Sequence, residues 1–330
     1  MAMHFLSASA AQLVKSFLTL AICGSSPLLT AQTFYPNKPV RVVVPFLPGG
    51  AADITARVMG QKLSEQMGQP FVVDNKPGAG GALAADIVAK APADGYTLLV
   101  ADMGQLAISP LLNSKLPYNP LRDFQPISPV ALVPQFLAVN ANSDIISVKS
   151  LIEYVKKKPG FSYATPGVGT SHHLEMEALR TRAGLNMLHV PYKGGAQTIP
   201  AVIAGEVGMT ISAMGALQPQ VKAGKIRIIG VTTLKSSPVA PEIPPISAAL
   251  PGYDLSDSVG FLAPARTPSA VVDRINREIV TAGKSPAVVR RLAELGLEAK
   301  VSSPPEYTYM IRQASEKFGK IIKDLGITAE

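Results

Sequence analysis

The sequence is poor in the residues that build covalent and metal frameworks. Its 330 residues include one cysteine, four histidines and no tryptophan. A single cysteine cannot form a disulfide framework or a thiolate zinc site. Only 16% of the residues are charged and 47% are hydrophobic, which is too much apolar surface for a disordered chain. At about 150 residues per domain, the length predicts roughly two globular domains.

The N-terminal stretch differs in composition from the rest of the chain. Lys15 is followed by the apolar run 16–23 and then by small residues up to Ala31. An apolar run after a cation, well short of the ~18 residues of a membrane span, predicts a secretory signal peptide over 1–31, cleaved after Ala31. The run also half resembles a lipoprotein box ending at Cys23. Cleavage would leave 30 basic and 23 acidic residues, a net charge of +7, and no cysteine, which suits an exported protein.

Positive charge is scattered along the chain. Its densest run, 156–158, ends a predicted amphipathic helix, and no aromatic residues are interleaved with it. Proteins that bind single-stranded nucleic acid combine such charge with aromatic rings on which bases stack. We therefore expect no nucleic-acid partner.

Short apolar strands alternate with helices along most of the chain, and three glycine-rich loops join them, at 47–51, 78–81 and 167–171. Strand, glycine loop, helix and strand in this order indicate an α/β fold. Such loops present backbone N–H groups and the positive end of a helix dipole to an anion, so a carboxylate ligand fits them. Thr170 and Ser171 are either further donors to that anion or N-caps of the next helix.

Signals for catalysis are missing. His172 and His173 are adjacent and point in different directions, and His189 has no second histidine at four-residue spacing, so the sequence predicts no metal site. No Gly-x-Ser-x-Gly elbow occurs, and the glycine loops match neither a phosphate-binding Walker loop nor the full dinucleotide fingerprint. We expect neither a catalytic site nor a cofactor.

Six stretches of the chain carry a family resemblance. They are 35–46 (YPNKPVRVVVPF), Gly49-Gly50 with Asp53 and Arg57, 74–81 (DNKPGAGG), 93–99 (ADGYTLL), 167–174 (GVGTSHHL) and 189–194 (HVPYKG). These stretches resemble the Bug/TctC-type solute receptors, the extracytoplasmic binding components associated with tripartite tricarboxylate transporters. They span the chain after the signal peptide in the family's order.

The resemblance implies a fold and a domain division. It implies a two-lobed, type II-like periplasmic binding protein of the α/β class, in which each lobe is a mostly parallel sheet flanked by helices. The ligand cleft would lie between lobe 1, at 32–134 and 259–330, and lobe 2, at 135–258. The hinge would lie near 133–135 and 258–260, where the chain is expected to cross between the lobes.

The resemblance also implies a function without chemistry. A periplasmic, non-enzymatic and, we expect, monomeric receptor would capture a small organic anion, most simply a carboxylate. It would deliver that anion to the membrane permease of a tripartite tricarboxylate transporter. A sensor kinase is the alternative partner, and an exported enzyme acting on an anionic substrate is a further alternative.

The implied ligand-binding residues come from the ends of strands in both lobes. They are Phe46, Gly49, Gly50, Ala51, Asp53, Met103, Gly104, Gly169, Thr170, Ser171, His172, Ser212 and Ala213. Asp53 would orient a water or a ligand amine, or else cap its helix. His172 would either shape its loop or touch the ligand.

One region departs from the family pattern. Where many relatives carry acidic residues, this chain has Gly208 and Ser212. A ligand amine would lose its counter-charge there, and Met103 and Met214 offer adaptable apolar surfaces. We therefore expect a less polar ligand, such as a dicarboxylate, an aromatic acid or another carboxylate, rather than an amino acid.

Overall fold

The computed structural model describes residues 35–158 and 160–327. The predicted signal peptide, its cleavage after Ala31 and the lipidation considered at Cys23 lie outside these residues. Within them, no helix combines the length and apolarity that a membrane crossing requires.

Strands of the described residues form two sheets. The six-stranded sheet has the order β11-β4-β10-β3-β1-β2, and the five-stranded sheet has the order β7-β6-β8-β5-β9. The strands are β1 Val40–Val44, β2 Phe71–Asn75, β3 Thr97–Asp102, β4 Phe124–Val133, β5 Gln135–Asn140, β6 Phe161–Thr165, β7 Met187–Pro191, β8 Met209–Ala213, β9 Ile226–Val231, β10 Asp257–Pro264 and β11 Glu298–Ala299.

Helices connect most of these strands. Those in the described part of the chain are α1 Ala51–Met67, α2 Ala82–Ala89, α3 Ser109–Leu112, α4 Val148–Lys157, α5 Ser171–Arg182, α6 Gly195–Ala204, α7 Met214–Lys222, α8 Ser269–Gly283, α9 Pro286–Glu294 and α10 Pro304–Leu325. A π-helical turn, Gly104–Ile108, joins β3 to α3. The α/β class and the two-sheet architecture agree with the sequence-based expectation.

Both sheets are mostly parallel, as predicted, and each also contains antiparallel strands: β10 and β11 in the six-stranded sheet and β5 in the five-stranded sheet. In the six-stranded sheet β1 runs parallel to β2 and β3, whereas β10 runs antiparallel to both β3 and β4. In the five-stranded sheet β6 runs parallel to β7 and β8, whereas β5 runs antiparallel to β8 and β9. The antiparallel strands β5 and β10 are those that enter each sheet from the other one, so no crossover helix aligns them with their neighbours.

The two sheets share one core and each has another of its own. Along β1, Val42 and Val44 pack into the core on one face of the six-stranded sheet, and Val43 packs into the shared core on the other face. Along β5, Phe136 faces the core of the five-stranded sheet and Leu137 faces the shared one. Side chains alternate along a strand, so a strand buried on both faces needs the continuous apolar run seen in β1. Each such buried valine or leucine contributes about 1.5–3 kcal/mol.

Two segments carry the chain between the sheets. Pro134 alone separates β4 from β5, and residues 232–256 separate β9 from β10. The Thr232 N–H donates to the Gln135 carbonyl oxygen at 2.9 Å, which ties the two segments together. Residues 258–260 lie inside β10. The chain therefore returns to the six-stranded sheet before the hinge position that the sequence indicated. The division into lobes stays a prediction.

Candidate ligand-binding site

The first glycine loop joins β1 to α1 at the carboxyl edge of the six-stranded sheet. Helix α1 begins at Ala51 after Gly50, and no side chain caps its first turn. Gly49 has φ +98°, a left-handed conformation that favours glycine. Residues 47–50 are exposed. The loop therefore presents an uncapped helix N-terminus to the space beyond the sheet.

Asp53 holds this loop in place. Its carboxylate is 3% exposed and accepts hydrogen bonds from the Gly49 N–H at 2.9 Å, from Asn75 Nδ2 at 3.0 Å and from Arg57 Nε at 3.0 Å. The Asn75 amide also donates to the Phe46 carbonyl oxygen at 2.9 Å. Burial opposes ionisation, but these donors outweigh it and lower the pKa of Asp53. Asp53 thus caps no helix and fixes the loop that precedes one.

The second glycine loop packs beside the first. Ala79, Gly80 and Gly81 all have positive φ, and a Cβ at Gly81 would lie 2.8 Å from the side chain of Gln105. Gln105 follows β3, which lies next to β1 in the sheet. Because β1, β2 and β3 are mutually parallel, their carboxyl ends lie at one edge, where ligands bind in open α/β sheets.

Met103 and Gly104 follow β3 at the same edge. The Gly104 N–H donates to Asp102 Oδ1 at 2.8 Å, and the Met103 N–H donates to Asp257 Oδ1 at 3.1 Å. The Met103 side chain is 2% exposed and borders a cavity of about 590 Å³ that Ser258 also lines. Its side chain belongs to the shared core, and its N–H is bonded to Asp257.

The third glycine loop joins β6 to α5. Thr170 is the N-cap of α5: its Oγ1 accepts from the His173 N–H at 3.2 Å and donates to the Gly167 carbonyl oxygen at 2.8 Å. Ser171 is the first helical residue, and its Oγ lies 3.4 Å from His172 Nδ1. Of the two residues considered as caps, Thr170 is one, and the Ser171 hydroxyl is not used in that way.

A stack of rings supports this loop from behind. The rings of His173 and His189 are 4.0 Å apart, and Tyr163 stacks on the other face of His189 at 5.1 Å. The Gly169 N–H donates to His173 Nδ1 at 3.2 Å, and His189 Nε2 lies 2.6 Å from Thr165 Oγ1. Burial and the neighbouring His173 together lower the pKa of His189 to about 4. Both imidazoles are therefore neutral and position the loop.

The third glycine loop lies close to α3, the helix that follows β3 of the six-stranded sheet. A Cβ at Gly169 would lie only 2.9 Å from Leu112 Cδ1 in α3, which follows β3. On the same side, Ser212 and Ala213 end β8, a strand parallel to β6. Ala213 is the N-cap of α7 and makes no side-chain cap bond. The structure thus places the second group of candidate residues at parallel strand ends, next to an element of the first sheet.

Some residues of this region were missed in the sequence. Asn75 ends β2 and bonds both Asp53 and the first loop, and a polar residue at the end of a parallel strand was a usable signal. Three acidic residues of this region, Asp102, Glu175 and Asp257, were also not singled out in the sequence. Burial lowers the pKa of the candidate residue His172 to about 4, so its imidazole is neutral as well. Among the described residues, no group of three or more His, Cys, Asp or Glu side chains is arranged to hold a metal ion.

Two mixed sheets, glycine loops at parallel strand ends and uncapped helix N-termini define the class of periplasmic binding proteins. Residues 55–327 match the sequence model of the tripartite tricarboxylate transporter family receptor, TctC. The chain belongs to this family, whose members are solute-binding receptors and not enzymes.

Individual relatives agree over nearly the whole chain. The chain is 37% identical over 315 residues to the UPF0065 protein in the tcbD-tcbE intergenic region of Pseudomonas sp. strain P51, covering 94% of each chain. Among solved structures, R. palustris Rpa4515 with adipate is 35% identical, with a TM-score of 0.77 over 89% of this chain and 99% of that one. The periplasmic binding protein BugD is 30% identical, with a TM-score of 0.73 over 90% of this chain and 100% of that one.

Proposed function

We propose that this protein is exported to the periplasm, captures a small organic anion there and delivers it to the membrane permease of a tripartite tricarboxylate transporter. The anion would carry at least one carboxylate. The observation that carries the proposal is the uncapped N-terminus of α1 behind a loop that buried Asp53 holds in place. Such a device binds negative charge and leaves no side chain of its own to react.

The backbone supplies most of the donors in this proposal. At a helix N-terminus the first N–H groups have no partner within the helix, and the helix dipole adds about half a positive charge. Gly49, Gly50 and Ala51 would bind one end of the ligand. The Ser171 hydroxyl and the uncapped start of α7 at Ala213 would bind it from the five-stranded sheet.

Adipate is a ligand of the expected chemistry. The solved relative Rpa4515 is described with adipate, and its fold matches this chain over 89% of its length. A dicarboxylate also fits the expectation drawn from Gly208 and Ser212, which put no negative charge on β8 or just before it. We therefore propose linear dicarboxylates as the first ligands to test.

Capture would involve closure of one half of the molecule on the other. Pro134, between β4 and β5, and the 232–256 segment are the links around which the sheets would rotate. Closure removes water from the contacts between the ligand and the N–H groups, which strengthens them because the dielectric constant falls. The closed form would be the one recognised by the permease.

A thermal-shift screen tests the proposal. The full chain is expressed with its own leader, purified from the periplasm, unfolded and refolded to release bound solute, and heated with mono-, di- and tricarboxylates and with amino acids. A ligand at 100 times its Kd stabilises the folded state by about 2.7 kcal/mol. We expect a dicarboxylate to raise Tm. We also expect cells to lose uptake of that dicarboxylate when the gene is deleted. Turnover of a compound that binds, or no shift with any acid, would contradict the proposal.

A further inference from the structure

Two buried carboxyl groups and one half-buried carboxyl group lie on three different elements. This acid cluster consists of Asp102 at the end of β3, Asp257 at the start of β10 and Glu175 in α5. Asp102 pairs with Val259 in the sheet, and Asp257 lies two residues before Val259 along β10. Each of the two aspartates accepts an N–H from a candidate ligand-binding residue, Gly104 or Met103. The cluster therefore adjoins the β3 side of the candidate site.

Glu175 lies on α5, the helix that follows the third glycine loop of the candidate site. It follows Ser171 by four residues on α5, and residues at this spacing share one face of a helix. The hydroxyl of Tyr253 donates to the Glu175 carbonyl oxygen at 3.1 Å and helps to fix the helix here. Asp257 is near enough for its negative charge to raise the pKa of Glu175.

The Glu175 carboxyl group has no partner in the described part of the chain. It is 0% exposed, and neither Oε1 nor Oε2 makes a hydrogen bond there. An ionised carboxylate in such a place is far too costly, and the group takes up a proton instead. Its pKa is raised well above the usual value by burial and by Asp257.

No cation is paired with the cluster in the described part of the chain, although Arg182 acts on nearby Tyr253. No lysine or arginine among the described residues forms a salt bridge with any of the three carboxyl groups. The titratable groups that face them are phenols: Tyr118 and Tyr307 near the aspartates and Tyr253 near Glu175. The Tyr307 hydroxyl is also buried without a partner.

Mutual repulsion adds to the effect of burial. Burial raises the pKa of Asp102 to about 6, and burial together with the charge of Asp102 raises that of Asp257 to about 8. Carboxyl groups that share a buried site cannot all ionise, so the cluster retains protons at neutral pH. A protonated carboxyl group is a hydrogen-bond donor, and an apolar site can keep it neutral for that purpose.

We propose that Glu175, held protonated within the acid cluster, is a specificity-determining residue that donates a hydrogen bond to a carboxylate oxygen of the bound ligand. The inference rests on the proposed function, because it assigns a donor to the anion. A protonated Glu175 attracts the carboxylate of the ligand, whereas an ionised Glu175 would repel it. The bound anion in turn favours protonation of the cluster, so capture takes up protons and tightens as the pH falls.

Calorimetric titration with adipate tests this inference. The full chain is exported, purified and freed of bound solute, and then titrated at pH 6 and pH 9 in buffers of different ionisation enthalpy, which counts the protons taken up. The variants are Glu175→Gln and Glu175→Ala, and the control is Glu153→Gln at an exposed position of α4. The Tm of each variant confirms that it is folded.

The expected pattern follows from the donor role. Wild type and Glu153→Gln bind adipate about tenfold more tightly at pH 6 than at pH 9, with proton uptake, since a hydrogen bond to a charged acceptor contributes about 1.5–3 kcal/mol. Glu175→Gln keeps a neutral amide donor, so its affinity falls less than that of wild type between pH 6 and pH 9, where Asp257 still titrates, and it takes up fewer protons. Glu175→Ala binds adipate about tenfold more weakly than wild type at pH 6.

Other outcomes separate the two proposals. Adipate binding that is equal at both pH values and unaffected by Glu175→Ala overturns the inference and leaves the proposed function intact. Tighter binding at pH 9, or binding of glutamate that Glu175→Gln abolishes, also overturns it, because an ionised Glu175 would then hold an ammonium group. If no acid of the panel binds at either pH, the proposed function fails and this inference fails with it.

Discussion

The side-chain amide of Asn75 donates to Asp53 Oδ1 at 3.0 Å and to the Phe46 carbonyl oxygen at 2.9 Å. Asn75 ends β2 and Asp53 lies in the first turn of α1, so this one amide joins two parallel strand ends to the first glycine loop. The loop that would bind the ligand is therefore positioned by side chains that hydrogen-bond its backbone. Changes at those side chains should weaken ligand binding without removing any ligand contact.

Asp53→Ala should weaken binding of the ligand about tenfold and lower the free energy of unfolding by about 1–3 kcal/mol, because it leaves the Gly49 N–H and the Asn75 amide without their acceptor. The control is Asp86→Ala, which removes an exposed pair with Lys90 on α2. Exposed pairs contribute about 0–1 kcal/mol, so this control should keep both properties. Calorimetry and thermal unfolding measure them. Equal affinity in the two variants would contradict the positioning role of Asp53.

Gly49→Ala should reduce affinity more than stability. Gly49 (φ +98°) and Gly68 (φ +70°) flank the same helix, and a Cβ would meet nothing within 4 Å at either position. Each alanine therefore costs only the backbone strain of a left-handed residue, about 1–2 kcal/mol. Gly68→Ala at the C-terminal end should lower Tm alone, whereas Gly49→Ala should also shift the N–H groups of the loop. An unchanged Kd for Gly49→Ala would remove the first loop from the site.

The sequence predicted the order of strands and glycine loops well, because both are local signals. The apolar run of β1 and the loops at 47–51 and 167–171 lie where the periodicity placed them. Which strands run antiparallel could not be predicted, because the direction of β10 depends on how the chain returns from the other sheet, and no local pattern records that path.

The acid cluster shows a second limit. Asp102, Glu175 and Asp257 are far apart in the chain, and each alone reads as an ordinary polar residue at a strand end or in a helix. Only in the folded chain do their charges act on one another, between Asp102 and Asp257 and between Asp257 and Glu175. Asp53 illustrates the same point: the sequence suggested a cap or a ligand contact, and its true partners come from residues 49, 57 and 75.

The acid cluster should make the folded state less stable as the pH rises. The pKa of Asp257 is about 8 in the folded protein and near 3.8 when unfolded, so the folded state binds more protons between these values. Stability then falls with rising pH across this interval. Between about pH 7.5 and 8.5 the histidines are largely neutral in the unfolded chain as well as in the fold, so Tm should decline there mainly because of the cluster.

Asp257→Asn should flatten that decline. The control is Asp74→Asn, because Asp74 lies near the surface and Arg41 and Lys76 lower its pKa against the effect of burial. A carboxyl group with a lowered pKa affects stability only in the acid range, so the control should keep the slope of wild type above pH 6.5. Thermal unfolding at half-unit pH intervals measures both slopes. Equal slopes for Asp257→Asn and wild type would show that Asp257 is ionised in the fold.

His173→Phe should weaken ligand binding while the ring stack persists. Phenylalanine can stack on His189 but offers no acceptor to the Gly169 N–H, which His173 Nδ1 accepts at 3.2 Å. A lost neutral hydrogen bond costs about 0.5–1.5 kcal/mol, and here it frees the loop whose next residue, Thr170, caps α5. The expected result is a Kd raised by about three- to tenfold at pH 7.

Tyr163→Phe is the matched control for that change. It keeps the ring on His189 and removes a hydroxyl that donates to Glu177 Oε1, away from the loop. Arg180 still pairs with Glu177 at 2.7 Å, so the carboxylate keeps a partner. Tyr163→Phe should lower Tm and leave the Kd unchanged. If both variants raise the Kd equally, the whole stack acts on binding through stability, and the bond from Gly169 to His173 has no separate role in holding the loop.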